Sequence, residues 1–202
     1  MDMQERGHFY RKAFPNYPPL AYNNGWLYGV WMIGNNYKGT GYYGSYPPGY
    51  VKRVMSLFPD MNNVLHLFSG SLKKEDVGEK DVRVDLHDVK NERTGEVIQP
   101  DVCCDVHKLN KSIGTEVSDL ILADPPYSEE DAAHYGVCLI NRRKVFKQCY
   151  KVLKYNGYMV WLDQVFPMYR KEYWKLEGTI GIIRSTNHRV RVCFIFKKLK
   201  GE

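Results

Sequence analysis

From about residue 51 onward, short apolar runs alternate with charged or polar connections, the pattern of strands joined by crossovers. The first run covers residues 63–68 (Asn-Val-Leu-His-Leu-Phe) and ends in the small residues Ser69-Gly70-Ser71. Further runs lie at 82–86, 101–104 and 119–123, and a fifth at 158–162 follows the turn pair Asn156-Gly157. Residues 178–184 and 189–197 read as two last strands, joined by Ser185-Thr186-Asn187-His188 as a hairpin. Successive apolar positions, rather than strict alternation, indicate strands covered on both faces. The pattern therefore predicts a mostly parallel sheet, with the closing hairpin supplying one antiparallel strand at its edge.

Two stretches carry helical spacing. In 48–58, Tyr50, Val54, Leu57 and Phe58 recur at helical intervals, and Pro59-Asp60 ends the element. In 129–153, Val145, Phe146, Cys149, Val152 and Leu153 form an apolar stripe among Arg and Lys, predicting one long helix. Residues 71–81 have room for little more than two turns of helix, and 87–99 reads as a charged turn. Residues 10–50 are dense in Tyr, Gly, Asn and Pro, and no internal repeat is visible. The expected architecture is one α/β domain over 1–202 with a Rossmann-like core from 51 and a preceding Tyr/Gly/Asn-rich segment, 1–50.

In such sheets ligands bind beyond the carboxyl ends of the strands, and the first four runs each end in a residue suited to that. Ser69-Gly70-Ser71 lets a ligand approach the backbone closely. Asp85 can accept both hydroxyls of a ribose, and Asp105 an adenine amino proton. Taken singly, these are also an ordinary turn and ordinary caps. The fourth run ends in Asp124-Pro125-Pro126-Tyr127. A Pro-Pro pair stiffens that loop and fixes the directions of Asp124 and Tyr127. An exocyclic amine is conjugated with its ring and is a poor nucleophile. If the Asp124 carboxylate and the Pro125 carbonyl each accept one N–H, the lone pair is freed to attack an electrophilic carbon in line. Tyr127 would stack on the base. The competing reading is that this sequence is only a stiff turn.

Composition adds two constraints. A formal charge of +6 over 202 residues, 44% hydrophobic and 26% charged, suits a globular protein with a polyanionic partner without requiring one. Basic residues gather at Arg142-Arg143-Lys144, at Lys171, and at His188-Arg189 with Arg191. They can contact phosphates, although Arg142 to Lys144 also read as a solvated helix face. Five cysteines without a Cys-x-x-Cys pair fit free thiols in a reducing compartment, with Cys103, Cys104 and Cys193 in buried strands. No histidine spacing suggests a metal site. No apolar stretch reaches spanning length, and the charged start, residues 1–6, does not read as a signal peptide. The expected compartment is the cytoplasm.

The order of these motifs resembles the class I S-adenosylmethionine (SAM)-dependent DNA amino-methyltransferases, adenine N6 and cytosine N4, including phage- and mobile-element types. Their hallmark is Asp/Asn/Ser-Pro-Pro-Tyr/Phe/Trp. Residues 67–71 resemble the family's first cofactor motif, 100–107 its adenine-contacting strand end, and 152–158 its "VLKPGG" turn. Residues 43–48 stand where the family's N-terminal motif packs over the methionine end of the cofactor. The resemblance implies SAM as cofactor, bound by Tyr46, Pro47, Phe68, Ser69, Gly70, Ser71, Asp85, Leu86, Asp105, Val106 and Asp124. It implies catalysis by Asp124, Pro125, Pro126 and Tyr127, with the segment 1–50 covering the cofactor side. His188, Arg189, Arg191 and Tyr135 are the nucleic-acid contacts it suggests. A base in a duplex must leave the stack to reach Asp124. The family's usual second glycine is replaced by Ser71-Leu72, and the turn at 87–99 trims the fold.

The leading expectation is therefore DNA adenine N6 methylation. An RNA base amino-methyltransferase and a catalytically silent subunit of the same fold are the alternatives. No added recognition region is obvious. Residues 26–43 and 128–143 are the candidates, and a homodimer or a separate recognition subunit would be the other source of specificity.

Overall fold

The computed structural model describes residues 1–34, 41–42, 46–184 and 187–201, without the side chains of 187–189. Its centre is a nine-stranded sheet. The four central parallel strands are β3 (Val64–Leu67), β4 (Val82–Asp85), β8 (Ser118–Ala123) and β9 (Leu153–Asp163), with short β7 (Val102–Cys103) beside β4. Beyond β9 lies β11 (Asn187–Lys198), antiparallel both to β9 and to β10 (Trp174–Arg184). Along the sheet the order is β7-β4-β3-β8-β9-β11-β10, extended at the β10 edge by β2 (Trp26–Ile33) and β1 (Ala21–Asn23). The chain runs from β3 outward to β7, then returns to β8 and proceeds the other way. The reversal between β3 and β8 is the switch point at which open α/β sheets bind ligands. This is a Rossmann-like α/β fold with a closing antiparallel pair.

Side chains of β8 explain why its sequence lacks alternation. Leu120 and Leu122 enter one core and Ile121 and Ala123 the other, and all four are buried. Met3 and Tyr10 of α1 (Met3–Ala13) and Tyr50, Val54 and Leu57 of α2 (Tyr50–Leu57) cover the first face. Leu109 of α3 (Leu109–Ile113) and Val145, Phe146, Cys149 and Val152 of α5 (Arg142–Val152) cover the second.

Several expectations change. The helix predicted over 129–153 is two elements, α4 (Glu129–His134) and α5. Gly136 breaks it at φ 68°, and Asn141 starts the second helix by accepting the Lys144 N–H at 3.0 Å. The stretch 71–81 holds only a 3₁₀ turn at Lys74–Asp76, and 87–99 forms a small hairpin of β5 (Val89–Lys90) and β6 (Val97–Ile98). Cys103 is exposed rather than buried, because β7 is a sheet edge. The first 34 residues, for which no element was expected, carry α1 and the β1–β2 pair. A capping box between Asp2 and Glu5 starts α1. Its Arg6 is fully buried, forks onto Asp60 at 2.7 and 3.0 Å, and packs against the neighbouring rings of Phe58 and Tyr158. No helix among the described residues is long and apolar enough to cross a membrane.

Candidate active site

At the carboxyl end of β3 the backbone turns sharply. Phe68 adopts φ 58°, which a bulky non-glycine residue avoids, and Gly70 follows at φ 50°. The path is fixed from outside. Ser69 N–H donates to the Val84 carbonyl at 3.2 Å, and Gly70 N–H donates to Asp85 Oδ2 at 2.7 Å. Leu72 N–H closes the turn on the Ser69 carbonyl at 2.9 Å, so a second glycine is not needed here. Asp85 also accepts the Leu86 N–H on Oδ1 at 2.7 Å, while burial raises its pKa above the ordinary value.

These residues form one wall of a cavity of about 320 Å³, within the range of small-molecule sites. Of the sequence-predicted residues, Phe68, Gly70, Asp85, Leu86, Asp105, Val106, Asp124, Pro126 and Tyr135 line it. Ser69, Ser71, Tyr46, Pro47, Pro125 and Tyr127 do not. Tyr135, expected at a nucleic-acid surface, lies on this wall instead, where its carbonyl meets His87 Nε2 at 3.3 Å.

Asp105 caps the 3₁₀ turn Val106–Lys108 and binds His107 twice through Oδ1, at the backbone N–H (2.9 Å) and at Nδ1 (2.7 Å). The backbone bond, then the ring, hold its carboxyl below the usual range. Asn141 N–H reaches His107 Nε2 at 3.1 Å, so that nitrogen accepts and Nδ1 carries the proton toward Asp105.

Beyond the end of β8, Asp124 lies half-buried on the cavity. Loss of solvent raises its carboxyl from an ordinary 3.8 to about 7, against the opposing pull of Arg191 and the Tyr127 hydroxyl. Tyr127 donates its hydroxyl to Asp124 Oδ1, and the Arg191 guanidinium lies 5.1 Å from the Tyr127 ring centre. Arg191, expected to meet phosphate, thus packs against Tyr127 of the Asp-Pro-Pro-Tyr loop, and its buried Nε has no hydrogen-bond partner among the described residues. The side chains of His188 and Arg189 lie outside the described residues, as do residues 43–45 of the N-terminal motif. The Tyr46 ring stacks on Tyr50 at 5.4 Å. Its hydroxyl is buried and has no hydrogen-bond partner among the described residues, and its pKa is raised by burial and then by Asp124 and Asp85.

One anchor escaped sequence reasoning. Arg142 is no solvated residue: it forks onto fully buried Asp163 at 2.7 and 3.2 Å and donates to the Tyr127 carbonyl at 3.1 Å. Asp163 also accepts from the Trp161 indole at 3.0 Å and from the Gln164 and Val165 N–H groups. The end of β9 is thereby tied to the Asp-Pro-Pro-Tyr loop. Asp163 ends an apolar strand just as Asp85 and Asp124 do, and that signal stood in the sequence. His87, His107, Cys104, Val137, Cys138 and Ile140 also line the cavity. They come from connections whose course only the fold reveals.

The cavity is mostly apolar, with the carboxyl groups of Asp85, Asp105 and Asp124 in its lining and the backbone turn at Gly70 open to close approach. A nucleoside joined to a charged amino-acid tail fits that donor set, and SAM is such a molecule. Among the described residues, no group of three or more His, Cys, Asp or Glu is placed to hold a metal ion.

No protein-family model and no curated protein matches the chain. Among solved structures it is similar to TrmN from Thermus thermophilus, with a TM-score of 0.52 and 16% identity, over 78% of this chain and 50% of that one. PH0851 matches at a TM-score of 0.39 and 12% identity, over 84% of this chain and 42% of that one. The chain thus spans half or less of the length of either structure, and the likeness to TrmN is one of fold.

Proposed function

We propose that the chain is a SAM-dependent methyltransferase acting on an exocyclic amino group of a nucleic-acid base, adenine N6 of DNA being the first substrate to test. One observation carries the reading: the Asp124-Pro125-Pro126-Tyr127 loop follows β8 at the sheet's switch point, and Asp124 lines the same cavity as Gly70 and Asp85. The cofactor supplies an electrophilic methyl group. The chain's task is then to orient and free the amine.

An incoming amino group displaces the Tyr127 hydroxyl from Asp124 and donates one N–H to that carboxylate and the other to the Pro125 carbonyl. Its lone pair leaves ring conjugation and points at the methyl. As the new N–C bond forms, a proton is lost, and a carboxyl with affinity near neutrality is suited to hold it. The Arg142–Asp163 pair keeps the loop in place, so the geometry is set before substrate arrives. Asp85 would bind the ribose, Asp105 or its His107 partner the adenine, and Tyr46 the amino-acid tail. Residues 1–202 act as one unit in this reading, in the cytoplasm, where unpaired thiols such as those of Cys104 and Cys138 are stable.

The test is transfer of labelled methyl from SAM to unmethylated DNA and to RNA of matched sequence, followed by base analysis. N6-methyladenine in DNA, abolished by Asp124→Ala in a folded protein, supports the full reading. Label in RNA alone moves the substrate while keeping the chemistry. A protein that neither binds SAM nor transfers label is the silent subunit instead.

A further inference from the structure

In β2, apolar residues occupy both sides. Leu27, Trp31 and Ile33 are 0–4% exposed against the first core, whereas Tyr28, Val30 and Met32 on the other side are 43–58% exposed. The register carries this bare face into the sheet: Tyr28, Val30 and Met32 stand beside Thr179, Gly181 and Ile183 of β10. Thr179 in turn stands opposite Phe194 of β11, and Gly181 opposite Val192. Ile183 and, on β11, Val190 are exposed as well.

The reason is a missing layer. The connection from β9 to β10 has no helix. It crosses the sheet as a loop that covers only β11, with Phe166 packed on Phe194 at 5.3 Å and Tyr169 on Phe196 at 5.0 Å. Even this loop turns apolar surface outward, at half-exposed Phe166 and at Met168, which is 85% exposed. Strands apolar on both faces belong in sheets covered on both faces.

We infer that a second copy of the chain covers this face, packing the two bare sheet surfaces together about a twofold axis. Three features favour that occupant. Seven apolar side chains on this face are 37–85% exposed, more neighbouring apolar surface than a soluble monomer ordinarily leaves open and of the kind that a stable interface of roughly 800 Å² per partner buries. The exposed residues named on this face are uncharged, which argues against a polyanion. Gly181 carries no side chain between Val30 and Val192, which leaves room for a side chain of a facing copy to insert, as packed sheets interdigitate at about 10 Å spacing. The inference is independent of the methyltransferase reading.

Sedimentation equilibrium of the full chain tests it. The unmodified protein is expected to sediment at twice the mass of the chain at micromolar concentration. Val30→Glu and Ile183→Glu, on surface positions, should shift it to one chain mass while leaving the thermal transition and circular dichroism in place. Tyr155→Glu, an equally exposed residue away from the patch, should leave the dimer intact. A monomer at 100-micromolar concentration (about the upper range for a specific dimer), or a dimer indifferent to Val30→Glu and Ile183→Glu together, overturns the inference.

Discussion

Replacing Asp124 with Asn should separate stability from activity. In the folded chain the carboxyl titrates near 7 instead of 3.8, chiefly because burial disfavours its ionised form. With the folded value above the unfolded one, the native state holds the proton more tightly. The penalty is absent below about pH 4, grows as pH rises toward 7, and is constant above that. At about 1.4 kcal/mol per tenfold change in proton affinity, the full penalty is about 4 kcal/mol, and about 2.5 kcal/mol of it develops between pH 5 and pH 8. Asparagine keeps the shape and still accepts from the Tyr127 hydroxyl but cannot ionise. Urea unfolding of both proteins at pH 5, 6, 7 and 8 should show the variant gaining on the parent by about 2.5 kcal/mol across the series. Methyl transfer should fall at least about 100-fold, since the carboxylate that accepts the amine proton is gone. A stability difference that stays flat from pH 5 to pH 8 would refute the claim that a desolvated carboxyl faces the reaction centre.

Three further predictions follow from individual contacts. Arg142→Ala strands the buried Asp163 carboxylate and should destabilise the fold by about 3–5 kcal/mol by urea titration; a loss under about 1 kcal/mol would mean the pair anchors nothing. Asp85→Asn keeps one acceptor for the Gly70 turn but loses the charge, and calorimetry should show SAM affinity down about 10- to 100-fold; an unchanged Kd would remove Asp85 from the site. Asp101 is forked by Arg83, whose side chain holds the carboxyl at about 2. Because that value is depressed, its contribution of about 2 kcal/mol is present above pH 4 and lost as pH falls through 2. Asp101→Asn should therefore be less stable than the parent at pH 7, with the gap narrowing between pH 4 and pH 2.

The central strands were legible because burial on two faces leaves an apolar run that no surface strand needs. Leu120 to Ala123 show this directly, with alternate residues feeding opposite cores. The same reasoning applies to β2, but Gly29 and the surrounding Tyr, Gly and Asn disguised an eight-residue strand as loop. In α1 the buried positions are Met3, Arg6 and Tyr10, so an arginine stands where the periodicity would show an apolar residue. Asp60, fifty-four residues away in sequence, and the Leu57 carbonyl make that burial tolerable. The split between α4 and α5 rests on Gly136 and on Asn141 as a cap, local signals that the strong stripe after Val145 overrode.

At the site, strand-end carboxylates and the Pro-Pro loop were readable because their chemistry is local. Arg142 was not, since its meaning comes from Asp163 across the sheet end. Arg191 was read from its charge as a phosphate contact. The structure sets it beside Tyr127 and Asp124 of the Asp-Pro-Pro-Tyr loop.

The most direct measurement is a crystal structure of the chain grown with S-adenosylhomocysteine. The ligand should occupy the cavity between Gly70 and Asp124, its ribose hydroxyls on Asp85 and its sulfur facing the Asp-Pro-Pro-Tyr loop. A ligand bound elsewhere, or with its sulfur turned away from the Asp124 carboxyl, would contradict the account.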